Sequence, residues 1–298
     1  PGNPAFLTAV EEWTGAGAPI GAWSTGGNLN TARQTLGGAG ASSTAALAFG
    51  GGPPGVAITE LYDGSSWTEV NDLNTGRAFL GGTGTQTAAL AFGGEGPPIS
   101  TATEVWNGTN WATSPGTLNT ARNLMAESGT STSALAFGGE GPPNLAVTES
   151  WNGTSWTEVN DLNTARRNFS GSGASNTEGL AIGGYITANT ASVESYNGTN
   201  WTETTDINTA RRGTGASGTP SSTIVFGGYS TTALALTEDW NGASWSEVAD
   251  LATARAGLAA ASQSTTSSVT FGGNNPSPVT AATEEWSSSS NVVKTLTD

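Results

Sequence analysis

Six arginines, Arg33, Arg77, Arg122, Arg166, Arg211 and Arg255, recur 44 or 45 residues apart, and a ring of six guanidinium groups could hold an anion. Each is matched by one glutamate two residues before an aromatic: Glu60, Glu104, Glu149, Glu194, Glu238 and Glu284. One-to-one matching of this kind predicts a salt bridge, or a tie to backbone carbonyls, in every copy. The arginines are therefore read as structural, with the anion ring as the competing reading. Other reactive groups are sparse. The chain has no Cys and no His, which excludes a cysteine nucleophile, a thiolate metal site and the commonest general base. Asp72, Asp161, Asp206 and Asp250 stand just before the next arginine motif, where an Asx-type turn is expected in preference to a calcium ligand. Glu127 replaces a small residue on an inner strand and is expected to face a channel, but one carboxylate is no catalytic pair. No cofactor and no metal are expected, and the chain is read as not an enzyme.

The elements that carry these residues repeat with them. A Gly-Gly doublet follows each arginine, at Gly50, Gly93, Gly138, Gly183, Gly227 and Gly272. Self-similarity at this period is the mark of propeller blades. In the third copy, Arg122 to Gly129 reads as a first strand of small residues. Ser133-Ala-Leu-Ala-Phe137 reads as a second, bulky on one face and small on the other. Such a sheet stacks on a copy of itself, large against small. Val147 to Trp151 and Thr154 to Val159 flank Asn152-Gly153, a type I′ hairpin signal repeated at Asp63, Asn107, Asn197 and Asn241. Asn107, Asn152 and Asn197 also read as glycosylation sequons, but the turn alone accounts for them. No segment shows a helical period with caps.

Composition narrows the function classes. A net charge of −15 with a single lysine, Lys294, argues against nucleic acid and anionic membranes as partners. No apolar run approaches the ~20 residues that cross a bilayer, so no membrane insertion is expected.

The Gly-Gly ending strand two, the aromatic on strand three and a Trp on strand four (Trp67, Trp111, Trp156, Trp201, Trp245) resemble the kelch repeat of β-propellers. The period is shorter than the ~50 residues usual for kelch, and Trp replaces Tyr on strand three in most copies. The resemblance implies an all-β, six-bladed propeller with four antiparallel strands per blade. A copper-radical oxidase on such a propeller needs His ligands, and sialidase-type Asp-boxes are absent. Units reading Asn-Thr-Ala-Arg, Ala-Leu-Ala-Phe-Gly-Gly and Thr-Glu-x-Trp-Asn-Gly-Thr-x-Trp also resemble repeats in phage virion proteins and in surface proteins of aquatic bacteria.

Six arginines and six doublets give six blades, yet the hairpin signature occurs seven times if Val10 to Trp13 and Trp23 are included. An outer strand around Trp23 is therefore expected to close the blade built from residues 255–286, with an incomplete seventh blade as the alternative. Residues 1–298 form one domain in this reading, with a core of about 20–286 and arms at 1–19 and 287–298. The loops after strand two read Gly-Pro-Pro in three copies and then diverge, which singles out Tyr185, Tyr229, Asn274 and Asn275 as exposed binding residues. The expected role is a virion-surface or extracellular structural or adhesion module in a multi-copy assembly. Its expected partners are other virion or surface proteins and a host glycan. An intracellular adapter and, behind it, a glycan-active enzyme are the alternatives.

Overall fold

The computed structural model describes residues 21–52, 54–96, 98–275 and 278–288. Six four-stranded antiparallel sheets form a ring, and the described residues contain no helix. Blade one comprises Gly37–Ser42, Ala45–Phe49, Thr59–Tyr62 and Trp67–Val70, from the axis outwards. Blade three comprises Ala126–Thr130, Ser133–Phe137, Thr148–Trp151 and Trp156–Val159. Inner strands thus begin about four residues after each arginine. The doublet needs glycine because Gly50 and Gly51 have φ of 65° and 106°, where a Cβ is strained.

Large-against-small stacking is the packing observed. Leu90 and Phe92 of blade two share a buried cluster with Ala134 and Ala136 of blade three. Phe49 meets Trp111 of the next blade at 4.8 Å, Phe92 meets Trp156 at 4.8 Å, and Phe137 meets Trp201 at 4.9 Å. Small inner-strand residues follow from this crowding: a Cβ on Gly82 would lie 2.5 Å from the Phe49 ring. Five of the six outer Trp residues also donate to a threonine of the preceding blade, as Trp111 Nε1 does to Thr59 Oγ1 at 3.0 Å and Trp156 Nε1 to Thr103 Oγ1 at 2.9 Å. Trp245 finds Val193 where the threonine would be and donates to the Thr205 carbonyl instead.

The ring closes as the surplus hairpin implied, with six blades and not seven. Gly21–Thr25 pairs antiparallel with Thr283–Ser288, with Trp23 opposite Trp286, and completes the blade of Ala259–Ala261 and Ser267–Phe271. Trp23 stacks edge-on to Phe226 at 4.8 Å and donates to Thr237 Oγ1 at 3.0 Å, so it repeats the role of Trp111. The third strand of this blade runs on to Ser288, two residues beyond the expected core. The expected arms, including Val10 to Trp13, otherwise lie outside the described residues. Trp23→Ala is expected to cost about 2–3 kcal/mol, less than a fully buried aromatic. Faster amide exchange across Thr283–Ser288, with blade three unchanged, is the check; equal exchange in both blades would refute the closure role.

Candidate functional site

The six repeated arginines are interior groups. Arg33–Glu60 at 3.0 Å, Arg77–Glu104 at 2.8 Å, Arg122–Glu149 at 3.0 Å, Arg166–Glu194, Arg211–Glu238 at 2.6 Å and Arg255–Glu284 at 3.0 Å are all buried pairs. The second carboxylate oxygen accepts the backbone N–H that opens the same loop, as Glu149 does from Asn119 at 2.7 Å. Some terminal guanidinium donors also meet carbonyls, such as Arg77 Nη1 to Ala102 O at 2.8 Å, whereas the buried Nε of Arg33, Arg77, Arg122, Arg211 and Arg255 has no hydrogen-bond partner among the described residues. Burial pulls the pKa of Arg33, Arg77, Arg122, Arg211 and Arg255 down while the facing glutamate pushes it back. With its charge already matched, each guanidinium ties the interblade loop to its own sheet.

The face bearing the loops after strand two is organised around the axis by backbone. Thr35, Phe79, Leu124, Asn168, Gly213 and Gly257 all have φ between 51° and 65°. Each donates its N–H to the carbonyl of its counterpart in the preceding blade: Thr35 to Gly257 at 2.7 Å, Phe79 to Thr35 at 2.8 Å, Leu124 to Phe79 at 3.1 Å, and on around the ring. Six peptides thereby form a closed hydrogen-bonded ring that narrows one end of the axial space. Outside it sits a collar of single β-bridges: Gln34 with Gly52, Ala78 with Glu95, Asn123 with Glu140, Arg167 with Tyr185, Arg212 with Tyr229, and Ala256 with Asn274.

Two of the six bridges of this collar form a ladder of rings and guanidinium groups. Arg167 lies 5.2 Å from the Tyr185 ring, and Arg212 lies 4.9 Å from Tyr185 and 5.1 Å from Tyr229. Arg167 pairs with Glu140, whereas Arg212 has no carboxylate partner among the described residues, only Asn189 Oδ1 at 3.4 Å. Asn144 and Asn189 donate to the backbone carbonyls of Tyr185 and Tyr229 at 3.2 Å, holding successive loops together. Tyr185 and Tyr229 are half-buried, not the exposed side chains expected, because each packs on an arginine. Asn274 occupies the equivalent collar position one blade further on, and Asn275 beyond it is exposed. Arg167, Arg212 and Glu140 were missed in the sequence. Their signal was there: Arg167 and Arg212 are extra arginines directly after repeated ones.

Between the inner strands the axial space encloses about 1020 Å³, counted with the solvent at its mouths. Glu127 lies on its wall, at the register position held by Gly38, Gly82, Gly171, Ala216 and Ala260 in the other blades. Burial pushes its pKa up to about 8, against a smaller downward pull from the Gly82 N–H that it accepts. Gln263 of blade six reaches across the axis to the Gly129 carbonyl of blade three at 2.6 Å, beyond Glu127 from the peptide ring. That crossing was not foreseen, because nothing in the repeat places blade six opposite blade three.

The remaining candidates are structural in geometry. Asp72, Asp161 and Asp250 accept the N–H of Thr59, Thr148 and Thr237 at 3.0 Å, so they cap third strands thirteen residues earlier instead of forming local turns. Asn107, Asn152 and Asn197 use Oδ1 to accept the next turn's N–H groups, as Asn107 does from Thr109 and Asn110 at 2.9 Å. No group of three or more acidic, His or Cys side chains among the described residues could hold a metal ion.

Neither a protein-family model nor a curated protein matches the sequence. Among solved structures, the chain is similar to YjhT with a TM-score of 0.72, covering 87% of this chain and 96% of that one at 12% identity. The likeness is one of fold. It corrects the expectation that the chain is not an enzyme. That expectation leaned on the absence of His, Cys, a metal set and a non-repeating acid pair, but a scaffold shared with YjhT is no ground for excluding catalysis. The structure also holds a non-repeating acid, Glu127, that keeps its proton near neutral pH.

Proposed function

We propose that this chain is a kelch-like recognition module displayed on a phage virion or a bacterial surface, whose loop face takes a host-surface glycan. The single observation that carries the reading is the Arg167–Tyr185–Arg212–Tyr229 ladder, where the sixfold pattern breaks. Tyrosine faces stack on sugar rings, and Arg212 offers donors that no carboxylate among the described residues occupies. The resemblance to virion and surface repeats supports display in many copies, where weak single-site contacts add by effective concentration. The acidic, lysine-poor composition supports a role in solution, away from phosphate backbones and anionic bilayers.

A glycan array probed with the chain on multivalent beads tests this. Tyr185→Ala/Tyr229→Ala and Arg212→Gln each lower the signal about tenfold or more, the loss of a truncated anchor in a recognition site. The circular dichroism of both variants stays that of the ring. Retention of full signal by both would move the site off this face. Binding of a protein and no glycan would replace the ligand class but keep the face.

A further inference from the structure

We propose that the axial chamber binds one small monovalent cation, an alkali ion or ammonium, against the Glu127 carboxylate. The inference is independent of the loop-face reading. Among the described residues lining the chamber, Glu127 is the only titratable side chain, and no Lys or Arg faces it. Much of the rest of the lining is small or hydroxylic, and the hydroxyls of Thr83, Ser128, Ser172 and Ser217 are each already hydrogen-bonded to a neighbouring blade, which leaves the Glu127 carboxylate as the group that meets an ion. The carboxyl accepts one backbone N–H, from Gly82, and forms no ion pair with any described residue. A lone carboxylate buried on the wall of a narrow space is costly without a counter-charge, so the site attracts a cation and repels an anion.

Charge and space decide which cation. Calcium takes six to eight oxygens, commonly with several carboxylates, and no second acid stands here. One negative charge matches one positive charge. The peptide ring narrows one end, and the Gln263–Gly129 crossing bars the axis beyond Glu127, which favours a compact ion over a sugar or polyamine.

Binding also moves a proton. With its pKa near 8, the carboxyl is largely protonated at neutral pH. Entry of the ion breaks the carboxyl O–H bond, leaves the carboxylate paired with the cation and sends the proton to solvent, so charge balances.

Melting temperatures at about pH 9 in sodium, potassium, ammonium and choline chloride at equal ionic strength provide the test. At least one small cation should raise the midpoint over choline in the unaltered chain, and Glu127→Gln should abolish the difference. Equal midpoints in all four salts, or the same rise in Glu127→Gln, would overturn the proposal. A pH-stat reading near neutral pH adds a second measurement that needs no variant. Proton release on adding the stabilising ion supports the site, and no release sinks it even if Glu127→Gln does not fold.

Discussion

Glu127→Gln should make the protein more stable than the unaltered chain at alkaline pH, by roughly 3–5 kcal/mol near pH 9, when both are unfolded in choline-based buffer. The folded carboxyl has its pKa raised from 4.5 to about 8 by burial. A raised carboxyl pKa means that the native state holds the proton more tightly than the unfolded chain. Its contribution is therefore fully favourable below pH 4.5, declines as pH rises through the window up to about 8, and is level above it. Glutamine keeps the shape and the acceptor for the Gly82 N–H but has no proton to lose. Urea midpoints of both proteins at acid and alkaline pH give the readout. The two curves should converge below the ordinary carboxylate range and separate above neutrality. Parallel curves across the range would mean that Glu127 is solvated and that the chamber is open to bulk water.

Removing one partner of a buried pair should be at least as costly. Glu149→Gln leaves the Arg122 guanidinium inside blade three without a counter-charge, and a loss of about 3–5 kcal/mol is expected. Glu149 also anchors the Asn119 N–H, so the loop that enters the blade loosens with it. The double replacement Arg122→Met/Glu149→Leu tests the cause, because apolar residues of similar volume remove both desolvation penalties together. Recovery of most of the lost stability in the double variant identifies the unpaired charge as the source. A double variant as unstable as the single one would show that hydrogen bonds to the loop, and not charge, carry the effect. Neither variant should alter ligand capture at the Tyr185–Arg212–Tyr229 ladder, which sits in blades four and five.

Much of the fold was legible in the sequence because it depends on short-range rules repeated six times. Alternating bulky and small residues at Leu135/Phe137 and Ala134/Ala136 specify a two-faced strand, and Asn-Gly specifies the hairpin. The one-to-one match of Arg122 with Glu149 predicted a salt bridge or a carbonyl tie in the blade, and the surplus Trp23 predicted closure. What the tertiary structure alone decided is whatever depends on going round the ring. The hydrogen-bonded circle of Thr35, Phe79, Leu124, Asn168, Gly213 and Gly257 joins residues of five different types, and only closure brings them together. Gln263 meets Gly129 because blades three and six face each other across the axis, a distance of 134 residues in the chain. Tyr185 and Tyr229 stood out in the sequence as breaks in the repeat. That Arg212 lies between them, half-buried and without a carboxylate partner among the described residues, follows from the angle at which adjacent blades meet, and sequence spacing carries no record of that angle.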